Sequence, residues 1–222
     1  MDDPRPPLYE QLAARIPRIP ATWLLIIANL LVFAAMLGQG AGLRHTDNAV
    51  QLAWGANFGP ATKDGEWWRL GSALFLHFGL LHLALNMLSL WDGGRLVERM
   101  YGHGRFLVLF FAAGLAGNLL SLIAQGDRAI SGGASGAVFG VYGALLSFLW
   151  LERRQLHPGE FRRLFVGAAL FSAINIGLGF QVTGIDNAAH IGGFVAGTLA
   201  GAALAPPLVP DPGRRRRWRL LP

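Results

Sequence analysis

Apolar residues recur along this chain in six runs of membrane length, separated by short polar segments and one long polar-aromatic loop. The runs cover about 21–37, 80–96, 106–124, 135–151, 164–180 and 187–205. Each approaches the roughly 20 residues an α-helix needs to cross a ~30 Å hydrocarbon core. The pattern predicts six transmembrane helices. The first run has a signal-peptide flavour, but it is long for such a segment and five more follow, so it reads as a retained helix.

Residues 1–20 are polar and proline-punctuated and read as a short cytoplasmic tail, residues 21–205 as the membrane domain, and residues 206–222 as a basic cytoplasmic tail. The loop at about 38–78 contains Trp54, Trp67, Trp68 and the pair Glu66 and Arg69. It is too long for a simple connector and is expected to have structure of its own. Its tryptophans suit a membrane interface, being apolar rings with one N–H that seeks water. It reads either as a surface-lying loop or as a wall or lid at a site. No internal repeat is evident, which gives an inverted-repeat transporter little support.

Composition agrees with the pattern. Only 14% of residues are charged, against roughly 25% in a soluble domain, and mean hydropathy is +0.40. Cysteine is absent, which excludes disulfides and thiolate metal sites. The net charge of +6 raises a nucleic-acid partner. The arginines, however, cluster between the runs and after the last one, including Arg214-Arg215-Arg216-Arg217, so membrane lipids are the expected partner and nucleic acid is not. With six spans, Arg5, Arg15, Arg18, Arg95, Arg99, Arg105, Arg153, Arg154, Arg162, Arg163 and the tail share one side. The other side holds Arg44, Lys63, Arg69 and Arg128. The positive-inside rule places both termini in the cytoplasm.

Four polar residues in the runs are candidates for chemistry: His82 and Asn86 in the second, Ser135 opening the fourth, and His190 near the start of the sixth. Measured by helix rise from the cytoplasmic span ends, Ser135, His190 and His82 lie ~24–25 Å up and Asn86 ~20 Å. They fall within about one turn in depth, several Å below the outer surface. Span 4 is then short, and the backbone before it must dip into protein or line a water-filled cavity. Gly136 and Gly140 form a small-residue pair on span 4, and Gly193, Gly197 and Gly201 a longer series on span 6. Such faces let helix backbones approach closely. Packed together, they bring Ser135 and His190 within reach.

A serine becomes a nucleophile when a base takes its proton, and histidine does so near neutral pH. A Ser–His dyad is the expected arrangement, with Asp186 at a loop edge, open to water and outside it. Phe139, one turn below Ser135, reads as a ring stacked on His190 or as plain core. Acyl transfer also needs donors for a developing oxyanion. Asn86 NH₂, a His82 ring N–H and the Ser135 backbone N–H are candidates; the alternative for His82 and Asn86 is a structural role in interhelical hydrogen bonds. His77 reads as holding its loop in place, and His45, His103 and His157 carry no assigned chemistry. A His-Glu-x-x-His zinc motif is missing, the acidic residues lie toward span ends rather than as a facing aspartyl pair, and no Gly-x-Ser-x-Gly elbow is present.

Gly133-Ala134-Ser135-Gly136, His77-x4-His82-x3-Asn86, Trp68-Arg69 and Ala189-His190-x-Gly192-Gly193-x3-Gly197 occur in this order between about residues 60 and 201. Together they resemble the motifs of rhomboid intramembrane serine proteases of the basic six-helix bacterial type. The resemblance implies an all-α membrane protein, a rhomboid-like bundle of six transmembrane helices. It implies Ser135 as nucleophile, His190 as base, and His82, Asn86 and the Ser135 N–H as the oxyanion hole. Gly133, Gly136, Phe139 and His77 become supporting residues. It further implies transmembrane protein substrates cut near the outer membrane face at small residues, no cofactor or metal, and a multi-pass location in a bacterial inner (plasma) membrane. Phe139 stands where many bacterial members have tyrosine, which keeps stacking and drops a hydroxyl contact. The alternatives are a catalytically silent rhomboid-like binder of transmembrane clients, and a small-solute transporter or channel.

Overall fold

The computed structural model describes residues 6–208. Among them, helices run over Leu8–Arg15 (α1), Pro20–Leu37 (α2), Asn48–Ala53 (α3), Gly59–Lys63 (α4), Arg69–Ser72 (α5), Leu80–Tyr101 (α6), His103–Gln125 (α7), Ser135–Glu152 (α8), Pro158–Gly179 (α9) and Asn187–Leu204 (α10). A 3-10 turn, Ala73–Phe75, extends α5. Two short strands, Asn57–Phe58 (β1) and Ile130–Ser131 (β2), pair antiparallel with Asn57 opposite Ser131.

The six long helices stand where the six apolar runs predict them. α2, α7, α8 and α9 are each long and apolar enough to cross a membrane alone, and α6 qualifies together with the α5 segment across a 92° bend. α6 is diluted by Asp92, Arg95, Glu98 and Arg99 in its second half, and α10 by its glycines, Asn187 and His190. Glu98, the α10 glycines and His190 serve contacts between helices, as shown below. The chain is an all-α bundle with the makings of a multi-pass integral membrane protein.

α8 is the axis of the bundle: 72% of its apolar window is buried, against 11% for α9. It packs on α10, α7, α6 and α9. Lipid offers no hydrophobic drive between helices, so close backbone contact and hydrogen bonds must hold them together. The glycine series provides that contact. A Cβ on Gly197 would fall 2.1 Å from the Gly140 carbonyl oxygen, and one on Gly201 2.6 Å from Ala144 Cα. Tyr101 Oη then bridges the pair at the far end, donating toward the carbonyls of Ala144 (2.8 Å) and Gly201 (3.0 Å).

α9 and α10 carry their own N-cap side chains, whereas α2 is capped from another helix. α2 starts at Pro20 without a side-chain cap of its own. The buried Glu98 of α6 supplies one, accepting from the Ala21 N–H (2.9 Å), the Thr22 N–H (2.7 Å) and the Thr22 hydroxyl (2.6 Å). His103 Nδ1 lies 2.6 Å from the same carboxylate. His157 Nδ1 accepts from the Gly159 N–H at the start of α9. Gly102, with φ +84, turns the chain between α6 and α7.

Among the described residues of the N-terminal segment, 6–20, there is more order than a tail. Leu8 and Leu12 bury themselves from α1, and the Leu8 N–H donates to Glu160 at 3.1 and 3.2 Å. At the other end, the arginine run 214–217 lies outside the described residues.

The long first loop is structured, as its length predicts. Arg69 is its hub: Nε donates to Glu66 (2.7 Å) and Nη1 to the carbonyls of Leu52 (2.8 Å) and Ala56 (3.2 Å), over the Trp68 ring. Asn57 Nδ2 donates to the Asn118 carbonyl, and Asn118 Nδ2 to the Leu70 carbonyl, which moors the loop to α7.

Candidate active site

Ser135 is the first residue of α8, and Gly132 and Gly133 lie just before it across Ala134. Gly133 has φ +138 and donates its N–H to the Ala73 carbonyl (2.8 Å), so this dipped segment is satisfied by the loop beneath it. His190 is in the first turn of α10. The glycine contacts bring the two helix starts together. Gly193 meets Gly136 backbone to backbone, and His190 Nε2 lies 2.9 Å from Ser135 Oγ.

Phe139 stacks on the His190 imidazole, with ring centroids 4.4 Å apart and planes 27° from parallel. His190 Nδ1 is buried and makes no hydrogen bond to the described residues. The ring is thus oriented by stacking and by the serine rather than by a carboxylate.

Asp186 corrects one expectation. It is not a loop-edge carboxylate left to water. Oδ1 accepts from the Ala189 N–H (3.0 Å) as the N-cap of α10, while Oδ2 accepts from the hydroxyls of Ser121 on α7 and Ser131 on β2. A helix start needs an acceptor for its free N–H groups, and two buried hydroxyls need one as well. One carboxylate satisfies all three, and none of its hydrogen bonds goes to His190.

His82 faces the same spot from α6. Its Nδ1 accepts from the Phe78 N–H (3.4 Å), which in the neutral ring leaves the proton on Nε2. A Cβ on Gly133 would sit 2.8 Å from His82 Cε1, 3.0 Å from Nε2 and 3.7 Å from Ser135 Oγ. The absence of a side chain there leaves a small space bordered by both groups. Asn86 donates one Nδ2 hydrogen to the His82 carbonyl (2.9 Å), one turn back, and keeps a second. His77 is buried with its ring 5.0 Å from that of His82 and its carbonyl held by Gln51 Nε2 (2.9 Å). It is part of the packing behind His82.

All eight sequence-predicted site residues therefore meet, or pack directly behind, one cavity of about 570 Å³. Its walls include Leu81, Leu85 and Asn86 of α6, Phe171, Asn175 and Leu178 of α9, and Arg44 and His45 of the first loop. α9 packs on α8 and lightly on α10 but makes little contact with α6, which leaves the cavity bounded by two helices that barely touch.

Residues 64–207 match the family model described as the Rhomboid domain. The chain belongs to the rhomboid family. Rhomboid protease GluP of Bacillus subtilis (strain 168) is 41% identical over 87% of this chain and 36% of its own length. RHOMBOID-like protein 5 of Arabidopsis thaliana is 40% identical over 64% of this chain and 45% of its own. Putative rhomboid protease YdcA of Bacillus subtilis (strain 168) is 34% identical over 65% of this chain and 70% of its own. The chain thus spans less than half the length of the first two relatives. As a rhomboid, it is an integral multi-pass membrane protein.

Sequence reading missed three parts of this rhomboid site: Ser121, Ser131 and Asn118. The signal was present for two of them. Asn118 and Ser121 are polar residues one turn apart within the apolar α7, where lipid-facing positions exclude them. Ser131 carried no such mark, because its role depends on the β1–β2 pairing of segments distant in sequence.

Proposed function

We propose that this rhomboid is an intramembrane serine endopeptidase that cleaves transmembrane protein substrates near the outer membrane face through a Ser135–His190 dyad. The reading rests above all on the 2.9 Å approach of His190 Nε2 to Ser135 Oγ inside an apolar bundle. A hydroxyl and an imidazole on separate helices meet there beneath a cavity, where helix packing alone has no need of either.

In this mechanism Ser135 Oγ attacks the scissile carbonyl carbon while its proton passes to His190 Nε2. The carbonyl oxygen gains negative charge and moves into the space beside Gly133. The His82 Nε2–H, the free Asn86 N–H and the Ser135 backbone N–H are the donors within reach. His190 then gives its proton to the leaving amine, which departs as the C–N bond breaks. Water, deprotonated by the same imidazole, hydrolyses the acyl-enzyme and returns the proton to Ser135 Oγ. Phe139 holds the imidazole plane through both steps.

A transmembrane segment is the substrate that suits a cavity between two loosely apposed helices, because it reaches the site laterally through apolar surroundings. The arginine-rich side of the bundle faces the cytoplasm, both termini with it, in a bacterial inner membrane; membrane lipids contact its arginines.

The test is cleavage of a model transmembrane substrate together with active-site labelling. Ser135→Ala abolishes cleavage in a folded protein, and a fluorophosphonate labels the native chain but neither Ser135→Ala nor His190→Ala. Undiminished cleavage by Ser135→Ala refutes the protease reading; native protein that folds yet neither cleaves nor labels is the silent client-binder.

A further inference from the structure

We infer that Asp186 is a positioning residue that sets the distance between the nucleophile and the base, acting through Ser131. This rests on the dyad reading above and assigns Asp186 no proton transfer.

The geometry is a clamp across three segments. Asp186 is the N-cap of α10, one helical turn before His190, and the His190 N–H itself donates to the Asp186 carbonyl (3.2 Å). Its Oδ1 holds the first turn of α10 through the Ala189 N–H. Its Oδ2 takes the Ser131 hydroxyl, and Ser131 lies in β2, four residues before Ser135. The same oxygen takes the Ser121 hydroxyl of α7, the helix against which both α8 and α10 pack. One carboxylate therefore connects the start of the helix carrying the base to the strand that leads into the nucleophile.

The glycine contacts between α8 and α10 fix the spacing of those helices from Gly136 downward. They do not fix the segment above it. Gly132 and Gly133 lie between Ser131 and Ser135; the Gly133 N–H is held by the Ala73 carbonyl, and glycines otherwise give the least backbone restraint. Ser131 is the first side chain before them, and it is anchored on two sides, by the Asn57 pairing in β1–β2 and by Asp186. Charge-assisted hydrogen bonds of this kind are stronger and shorter than neutral ones. Attack geometry is sensitive: a displacement of ~1 Å costs up to about a hundredfold in rate. Ser131 and Asp186 border the cavity at its β2 and α10 edge, away from its walls on α6 and α9, so a clamp here acts first on turnover.

The test is a double-mutant cycle on kcat with a transmembrane substrate, with thermal unfolding as a control. Ser131→Ala lowers kcat by on the order of tenfold, with KM within about twofold and fluorophosphonate labelling of Ser135 slowed in parallel. Ser131→Thr, which keeps the hydroxyl, restores kcat. Asp186→Asn, which also weakens the Ser121 contact, lowers kcat at least as far, and the double variant is no worse than Asp186→Asn alone, because Ser131 acts through that carboxylate. Full kcat in Ser131→Ala, equal loss in Ser131→Thr, or additive effects in the double variant overturn the inference. If instead Ser135→Ala still cleaves, the dyad reading itself fails, and that outcome is read separately.

Discussion

Gly193 of α10 lies so close to Gly136 of α8 that a Cβ on Gly193 would fall 1.9 Å from the Gly136 carbonyl oxygen. No side chain fits there, and the obstacle is backbone rather than a flexible chain end. Gly193→Ala must push the two helices apart beside Ser135 and His190. Overpacking costs about 1–3 kcal/mol, and separation of the dyad removes turnover as well. Thermal unfolding in detergent is expected to shift down and serine labelling to be lost. Gly167→Ala and Gly177→Ala on α9 have open space around the new methyl and leave both unchanged.

The oxyanion assignment separates from structural packing by its kinetic signature. Asn86 already spends one N–H on the His82 carbonyl, so its second is the group that reaches the cavity. Asn86→Ala is expected to lower kcat by about 10²-fold with KM little changed. His82→Ala behaves likewise. A role as interhelical glue alone predicts the opposite: loss of thermal stability with kcat preserved in the folded fraction. Kinetics and unfolding measured on the same samples decide between them.

Much of this site is legible from sequence because helices convert spacing into depth. His82, Ser135 and His190 are each about 24–25 Å from a charged or proline-marked span end, and one rise per residue puts them at one level. Small-residue periodicity then brings Gly136 and Gly193 together. The clamp around Asp186 is not legible in this way. It depends on Ser131, placed by pairing with Asn57 some seventy residues earlier, and no local period encodes that register. α1 escapes for a related reason: Leu8 and Leu12 are too few to mark a helix until α6 and Glu160 supply its partners. Glu98, one of four charged residues in the second half of α6, carries no sequence mark of its role as the cap of a different helix, because its partners Ala21 and Thr22 are distant in the chain.

Phe139 is the ring that orients His190 where no carboxylate does. Aromatic stacking contributes about 0.5–1.5 kcal/mol, so its loss translates to about a two- to tenfold slower attack. Phe139→Ala is expected to slow fluorophosphonate labelling by at least that factor. Phe139→Tyr keeps the stack and labels at close to the native rate. Equal labelling by Phe139→Ala shows that the ring is only core.

Glu98 tests whether stability and chemistry separate along α6. Its carboxylate is fully buried and accepts from two N–H groups and one hydroxyl of α2. Glu98→Ala leaves those donors without an acceptor and costs about 2–4 kcal/mol. The residue lies ~24 Å along the helix from His82. At temperatures where the variant remains folded, labelling of Ser135 is therefore expected at the native rate, while the unfolding transition falls by several degrees.

The proposed orientation is simple to measure in a cysteine-free chain. With no native cysteine, a single introduced thiol reports its side of the membrane without background. Arg154→Cys sits exposed between α8 and α9, among the arginines assigned to the cytoplasm, and Asp64→Cys sits exposed in the first loop. In intact spheroplasts, a membrane-impermeant maleimide is expected to label Asp64→Cys and to spare Arg154→Cys until the cells are lysed. Ser135 and His190 share the first-loop end of the bundle with residue 64, so this pattern also puts the dyad on the outer side. Labelling of Arg154→Cys from outside inverts the bundle and moves the cleavage depth to the cytoplasmic leaflet.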